Sequence, residues 1–176
     1  MSMAQSFLAE FEEQASVTRR FLERLPEDKL TWKPHDRSMT AGQLALHLAM
    51  VPGAVVELMH RESAPPPDFS IRPQPASPGE VLVALDQSIA TVRALLPRLD
   101  DAAMSGTFRI VAGDQELLAV PRRGFIRNIM LNHWYQHRGQ FSVYLRLLGI
   151  AVPASWGPSA DEMLVFSRQP EPVGAR

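Results

Sequence analysis

The chain of 176 residues contains no cysteine, and its formal net charge at pH 7 is only −1. The lack of cysteine excludes disulfides, thiolate metal ligands and a cysteine nucleophile. The near-zero charge gives no electrostatic case for a nucleic-acid or membrane-surface partner. The first residues, MSMAQSFLAEFEEQ, are acidic and lack the apolar centre of a signal peptide, and no apolar run approaches transmembrane length. We therefore expect a cytoplasmic protein with no nucleic-acid or membrane partner.

Apolar residues make up 45% of the chain and charged residues 21%, a balance typical of a globular domain. A chain of this length can enclose a sizeable core in one domain. No internal repeat and no break in composition marks a second domain. The expected organisation is one domain over residues 1–162, followed by a C-terminal tail over residues 163–176.

Two helices are predicted in the first third of the chain from apolar residues at helical spacing. The first runs from about Ala4 to Leu25 and stops before Pro26, which cannot donate a backbone hydrogen bond. The second begins at Thr40, where Thr40-x-x-Gln43 has the form of a capping box. Pro52 is expected to kink this helix, which then continues toward His60.

Two further helices follow a proline-dense connection, SAPPPDFSIRPQPASP, which is extended in character. The third helix opens with Ser77 as its N-cap and Glu80 completing a capping box, and it ends near Pro97. The fourth starts at Pro121 and ends at Gly149, a residue suited to the position after a helix.

Residues 106–120 read as two short strands around Gly113-Asp114, ahead of the fourth helix. Four helices with strong apolar faces and one long crossover indicate an all-α fold, a four-helix bundle with a possible short β-hairpin before the last helix. Bundles of this kind place ligand and metal sites in the core, on facing helices.

Three histidines carry the chemical signal of the chain. His133 and His137 are four residues apart in the fourth helix, which places both imidazoles on its apolar face. That pair alone is read equally well as metal ligands or as half-buried histidines bonded to backbone or water. His47 lies on the apolar face of the second helix and favours the interpretation as a metal site. Three neutral imidazoles can bind one face of a metal ion, which leaves its other positions open for water or substrate. The metal would be divalent, with zinc, nickel, iron and copper all suited to imidazole.

Other metal and catalytic classes fit the residues poorly. Trp134 stands where a metalloprotease motif has its glutamate, and Glu57-x-x-His60 is alone where a di-iron carboxylate site needs two such motifs. No nucleophile elbow and no glycine-rich phosphate loop occurs. His35, in a polar loop, and His60, near a helix end, are expected to be solvated.

Several residues around the histidines have both a functional and a structural interpretation. Asn132 or Gln140 could hold a histidine ring or a bound water, although a polar helix edge is the simpler reading. Gly139 is expected to allow close helix packing. Arg138 and Arg146 are expected to be solvated or ion-paired and not catalytic. An anionic substrate at the pocket mouth is the functional alternative to a solvated face or dimer contact for three arginines: Arg122, Arg123 and Arg127. Trp32 and Trp156 are expected in the core, with a pocket wall as the alternative.

Three stretches together resemble the DinB/YfiT-like superfamily: WKPHDRSMTAGQLALHLA, NHWYQHRGQFSVYLRLLGIAVP and GPSADE. The resemblance extends from the first helix to about Glu162. It implies a four-helix bundle with a long crossover, a divalent metal held by His47, His133 and His137, and a homodimer. Relatives include metal-dependent S-transferases and an isomerase that use low-molecular-weight thiols. Trp134 departs from the family, in which many members carry a small or acidic residue at that position.

The function expected from these observations is a metal-dependent enzyme of S-transferase or hydrolase type. It would activate a thiol or water at a three-histidine site and act on a small-molecule substrate. The alternative is a non-catalytic metal-binding or dimerisation protein of the same fold.

Overall fold

A computed structural model describes residues 1–163, so the predicted tail lies, after Met163, outside the described residues. Within that range the chain forms six α-helices: α1 Met3–Leu22, α2 Ala41–Met59, α3 Pro78–Leu95, α4 Asp101–Ser105, α5 Arg122–Phe125 and α6 His133–Leu147. A π-helix, Ile126–Asn132, joins α5 directly to α6. The strands are β1 Ser63–Ala64, β2 Thr107–Ala112 and β3 Gln115–Pro121.

Four long helical units enclose one core, which confirms the predicted all-α bundle with a short β element. α2 packs against α3 on one side and against α6 on the other, while α1 contacts α3 and α6. Phe11, Leu48, Leu85 and Phe141 are fully buried between these helices. The core therefore lies along α2, the helix that carries His47.

The helix starts follow the predicted capping signals closely, with one difference. The Thr40 hydroxyl accepts from the Gln43 backbone N–H and the Gln43 side chain accepts from the Thr40 N–H, which closes a capping box. At α3 the Ser77 hydroxyl accepts from the Glu80 N–H as expected, but the Glu80 carboxylate accepts from Ala76 instead of Ser77. The α3 capping box is thus incomplete.

The observed helix end differs from the predicted one at α1 and agrees with it at α3 and α6. α1 stops at Leu22, three residues earlier than predicted, and Pro26 instead precedes a short 3-10 turn. α3 ends at Leu95, just before a 3-10 turn that contains Pro97. After α6, Gly149 has a φ of +71°, and the N–H groups of Gly149 and Ile150 donate to the carbonyls of Arg146 and Leu145. This is a Schellman ending, which needs a residue tolerant of positive φ.

The predicted hairpin forms with its turn at Gly113, whose φ of +58° suits glycine. A third strand, β1, pairs in parallel with β2 and was not predicted, because two residues inside a proline-rich segment carry no periodic signal. The short helix α4 was missed because its five residues are too few to show a helical period.

α2 is apolar enough and, at 19 residues, long enough to cross a membrane by composition alone, with a hydropathy of 1.4. The expectation that no apolar run approaches that length was therefore wrong. In the fold, 56% of this apolar stretch is buried, and the helix packs against neighbours on two sides. Its apolar composition is that of a central core helix.

Candidate metal centre

His47 from α2 meets His133 and His137 from α6 in one cluster. The three ring centroids are 4.3 to 5.2 Å apart, and one nitrogen from each ring lies within 4.8 Å of the other two. The Nε2 atoms of His133 and His137 are 2.9 Å apart. Three imidazole nitrogens converging in this way form a group that could hold a metal ion.

The apolar pattern predicted that the histidines face the interior, and in the structure they lie at the edge of the buried helix face. All three are half-buried, whereas Trp134 and Arg138 are 1% and 7% exposed and occupy the centre of that face on α6. His133 and His137 therefore border the core, at the seam between α2 and α6. A position at this seam combines partial burial with access from outside.

Within the histidine cluster, one ring-nitrogen lone pair is left without a proton donor or a cation. The Gln140 Oε1 atom lies 2.7 Å from Nδ1 of His137 and accepts the proton there, so Nε2 of His137 presents its lone pair to His133. The buried atoms His47 Nε2 and His133 Nδ1 have no hydrogen-bond partner within residues 1–163. If His133 carries its proton on Nδ1, the Nε2 lone pairs of His133 and His137 face each other. If His133 carries its proton on Nε2, its buried Nδ1 atom has a lone pair but no hydrogen-bond donor. A shared cation would remove this deficit.

The π-helix ends at Asn132, directly before His133, and changes the backbone bonding of that histidine. The His133 N–H donates to the Asn128 carbonyl, five residues back, so the Ile129 carbonyl loses the partner that an α-helix would provide. This carbonyl raises the pKa of His133 in opposition to burial, although it lies outside hydrogen-bonding geometry with the ring. A carbonyl beside a ligand histidine is the usual partner of its second ring nitrogen.

The imidazoles are held in the neutral form that metal binding requires. Burial, with help from the other two histidines and Arg72, lowers the pKa of His47 to about 4. Burial also lowers the pKa of His133 and of His137, the latter against the opposing hydrogen bond to Gln140. Protons therefore compete weakly with a metal ion for these nitrogens at neutral pH.

Pro52 and Trp134 clamp the two ligand helices together. Pro52 lies inside α2 and has no N–H for the carbonyl of Leu48, four residues earlier. The indole Nε1 of Trp134 donates to that carbonyl at 2.8 Å in the buried interior. Because Leu48 follows His47 and Trp134 follows His133, this bond sets the spacing of the two histidines. The sequence pattern singled out Trp134 only as a departure, and the proline four residues after Leu48 was the signal that explains it.

A cavity of about 220 Å³ opens beside His47, between α2 and the long crossover. Its other lining residues are largely apolar: Met39, Gln43, Leu46, Met50, Val51, Ala54, Ile71, Arg72 and Pro73. Trp32 and Trp156 do not line this cavity. Trp32 packs against Tyr144, and Trp156 is 58% exposed with its indole donating to Gln14.

The arginines at the start of the fourth helical unit have structural partners away from the histidines. Arg122 donates to the carbonyls of Met59 and Arg61, both at 2.8 Å, and so caps the end of α2. Arg123 donates to the Ser105 hydroxyl. Arg127 forms a bidentate ion pair with Glu10 at 2.7 and 2.8 Å.

The other residues singled out in the sequence do not belong to the histidine cluster. Arg146 is ion-paired with Asp161, as expected, and His35 and His60 are exposed. The Asn132 side chain donates to Asn128 and not to a histidine. Gly139 is exposed, and a Cβ there would meet nothing within 4 Å, so the expectation of close packing at this glycine was wrong.

Comparison with known proteins agrees with this fold. The chain is 27% identical over 162 residues to the uncharacterized protein YrdA of Bacillus subtilis, covering 91% of this chain and 92% of YrdA. A DinB-like protein from Bacillus cereus has the same fold, with a TM-score of 0.68 at 21% identity over 86% of this chain and 96% of that one. The DinB-like protein YjoA of Bacillus subtilis superposes with a TM-score of 0.64, also at 21% identity, over 85% and 96%.

The family assignment rests on a match that includes all three histidines. A model of the DinB superfamily matches residues 10–141, which is most of the bundle and the whole of the cluster. The chain belongs to the DinB superfamily.

Proposed function

We propose that this protein binds a divalent metal ion through His47, His133 and His137 and uses it to activate a thiol or a water molecule. The observation that carries the proposal is the cluster itself, in which three ring nitrogens converge and buried ones lack hydrogen-bond partners. A divalent ion there would act as a Lewis acid that acidifies the bound thiol or water. Zinc, nickel and iron all accept imidazole ligands.

The chain's own residues prepare the site before any ligand arrives. Burial keeps the three imidazoles neutral, so their lone pairs are available at neutral pH. Gln140 fixes which nitrogen of His137 faces the cluster, and the Trp134–Leu48 bond holds α6 against α2. A site of this kind loses little entropy on binding, because its ligands are already oriented.

The cavity beside His47 supports a small-molecule substrate with an apolar portion. Its walls are mostly apolar side chains, methionine, leucine, valine and isoleucine among them, and Arg72 provides one cation. We propose S-transfer with a low-molecular-weight thiol, or hydrolysis, as the reaction types.

A second candidate, a non-catalytic metal-binding protein, is favoured by one specific observation. Within residues 1–163 the histidine cluster contains no carboxylate, and the residues lining the adjacent cavity include no aspartate or glutamate. A general base is therefore lacking at the position where an enzyme would hold one. The two candidates share the metal site and differ only in turnover.

Metal analysis of the purified protein tests the proposal. We expect about one divalent ion per chain in the parent and none in the triple variant H47A/H133A/H137A, because three ligands are removed. A double variant H35A/H60A is the matched control, since it deletes two exposed histidines outside the cluster and should keep its metal. Equal metal in the triple variant and the parent would contradict the proposal.

Turnover separates the two candidates. An enzyme should consume a thiol together with an electrophile, or hydrolyse an ester or amide, and H137A should abolish this while H35A/H60A does not. A metal-loaded parent that is inactive with a panel of thiols, electrophiles and hydrolysable substrates favours the non-catalytic role.

We also propose that the protein is a cytoplasmic homodimer. Val143 and Leu147, four residues apart on α6, are 55% and 60% exposed and offer an apolar strip for a second copy. Sedimentation equilibrium of the parent and of V143E/L147E measures this, with a shift toward monomer expected in the variant.

A further inference from the structure

Arg138 is a buried cation without a carboxylate. Its side chain is 7% exposed, and no aspartate or glutamate within residues 1–163 forms an ion pair with it. Its two hydrogen bonds both come from Nη1, to the Gln14 carbonyl at 3.4 Å and the Thr18 hydroxyl at 3.3 Å. A guanidinium has five N–H donors, and isolated buried charges are costly. Two long contacts to neutral oxygens leave most of that cost uncompensated.

Arg138 lines a polar cavity of about 300 Å³ on the side of α6 that faces α1. The ring of Tyr135 lies 5.4 Å from the guanidinium carbon and forms one wall. Serine hydroxyls and a loop complete the lining: Phe21, Gly139, Ser142, Val152, Pro153, Ser155, Gly157, Pro158 and Ser159. These residues include no acidic side chain, so the cavity presents one cation and several hydroxyl groups.

The loop that covers the cavity is held in place by its own acidic residues. Asp161 accepts from the Val152 N–H at 2.8 Å, and Glu162 accepts from the Ala154 N–H at 3.0 Å. The same carboxylates pair with other arginines, Asp161 with Arg146 and Glu162 with Arg20 and Arg24. Both acidic groups of this loop are thus already engaged in building the wall.

Gly139 also lines the cavity, and a Cβ there would meet nothing within 4 Å. The cavity opens on the opposite side of α6 from His47, since Arg138 contacts α1 while His133 and His137 face α2.

We propose that this cavity is a binding site for a small oxyanion, a carboxylate or phosphate group, with Arg138 as its charged ligand. A planar guanidinium binds either oxyanion through paired N–H bonds. The hydroxyls of Ser142 and Ser159 donate to the carbonyls of Gly139 and Val152, so the Ser155 hydroxyl is the one that adds a donor among these lining serines. The site is separate from the histidine cluster and does not depend on metal binding there.

Thermal unfolding with inorganic phosphate and with acetate, against chloride at equal ionic strength, tests the proposal. A ligand at ten times its Kd should raise Tm by about 4 °C for a chain of this size. The comparison of phosphate with acetate identifies which oxyanion the site prefers. The measurement is made on the full chain as purified and again with EDTA, and the shift should be the same in both. A shift that disappears with EDTA, or no shift with either anion, would overturn the proposal.

Variants then locate the site. R138M should abolish the shift without lowering Tm in chloride, because an apolar side chain replaces an unpaired buried charge. R98M, at an exposed arginine, is the matched control and should keep the shift. If R138M fails to fold, R138K is tested in its place. It keeps the charge but not the planar guanidinium, and the affinity for the anion should fall at least tenfold. T18V removes a structural contact of Arg138 and should retain the response, whereas a full response in R138M or R138K would contradict the assignment.

Discussion

Gln140 shows how a single side chain decides the chemistry of a neighbouring histidine. Its Oε1 atom accepts from Nδ1 of His137 at 2.7 Å, so the proton is kept away from the nitrogen that faces His133. Spacing alone placed Gln140 near His137 without deciding between this role and a plain helix edge. The hydrogen bond decides it, because only one tautomer of His137 satisfies that bond.

We expect Q140L to weaken divalent metal binding by about 10- to 100-fold, the usual effect of losing a group that orients a ligand histidine. Q136L is the matched control, since Gln136 is an exposed glutamine on the same helix. Competition with a chromophoric chelator measures both affinities. Equal affinities in the two variants would show that His137 does not need Gln140.

Gly139 provides a second prediction at this scale. A Cβ there meets nothing within 4 Å and the residue lies inside α6, so G139A should raise the free energy of unfolding by about 1 kcal/mol. Urea denaturation measures the change. A loss of stability instead would show that the Gly139 backbone conformation excludes alanine.

At the scale of elements, a proline in one helix is matched to a tryptophan in another. Pro52 leaves the Leu48 carbonyl without its helical donor, and Trp134 provides a replacement across the α2–α6 contact. Trp134 also stacks on Phe11 of α1, with ring centroids 5.4 Å apart. Three helices are thereby joined at the level of the histidine cluster.

We expect W134F to lower the free energy of unfolding by about 2 kcal/mol, because it retains an aromatic ring but leaves the buried Leu48 carbonyl without a donor. Metal affinity should fall as well, since the clamp sets the spacing of His47 and His133. W156F is the control: Trp156 is 58% exposed, and its loss should change stability by less than about 0.5 kcal/mol. Unfolding in urea distinguishes the two, and an equal effect in both variants would refute the clamp.

At the scale of the whole molecule, the buried histidines make the metal-free protein sensitive to mild acid. His47 titrates at its usual 6.5 in the unfolded chain and at about 4 in the folded one. Between these values the unfolded state binds more protons, so stability is fully present above pH 6.5 and falls as the pH is lowered toward 4. The carboxylates of Glu10 and Glu12, whose pKa values are lowered by their arginine partners, act in the same direction only below their usual 4.5.

Urea unfolding of the EDTA-treated protein at pH 7, 5.5 and 4.5 should therefore show a progressive loss of the free energy of unfolding, which reaches about 2 kcal/mol from His47 alone at pH 4.5. H47Q lacks this titration and should show a shallower decline over the same range. A parent whose stability is constant from pH 7 to 4.5 would contradict the assigned burial of the cluster.

Local patterns in the sequence were sufficient for much of the fold. Thr40 with Gln43, Ser77, Pro97 and Gly149 each act through neighbouring backbone groups, so their effect on helix starts and ends could be read without a structure. The apolar spacing of four segments indicated the bundle for the same reason. The spacing of His133 and His137 placed two imidazoles one turn apart on a helix.

The tertiary structure alone decided what depends on contacts distant in sequence. The unpaired state of Arg138 and the Leu48–Trp134 bond result from packing between helices, and local periodicity contains no record of that packing. The same holds for the meeting of His47 with the other two histidines, more than 80 residues away. The sequence by itself determined which side chains carry the chemistry, and the packing of α2 against α6 decided that their nitrogens converge.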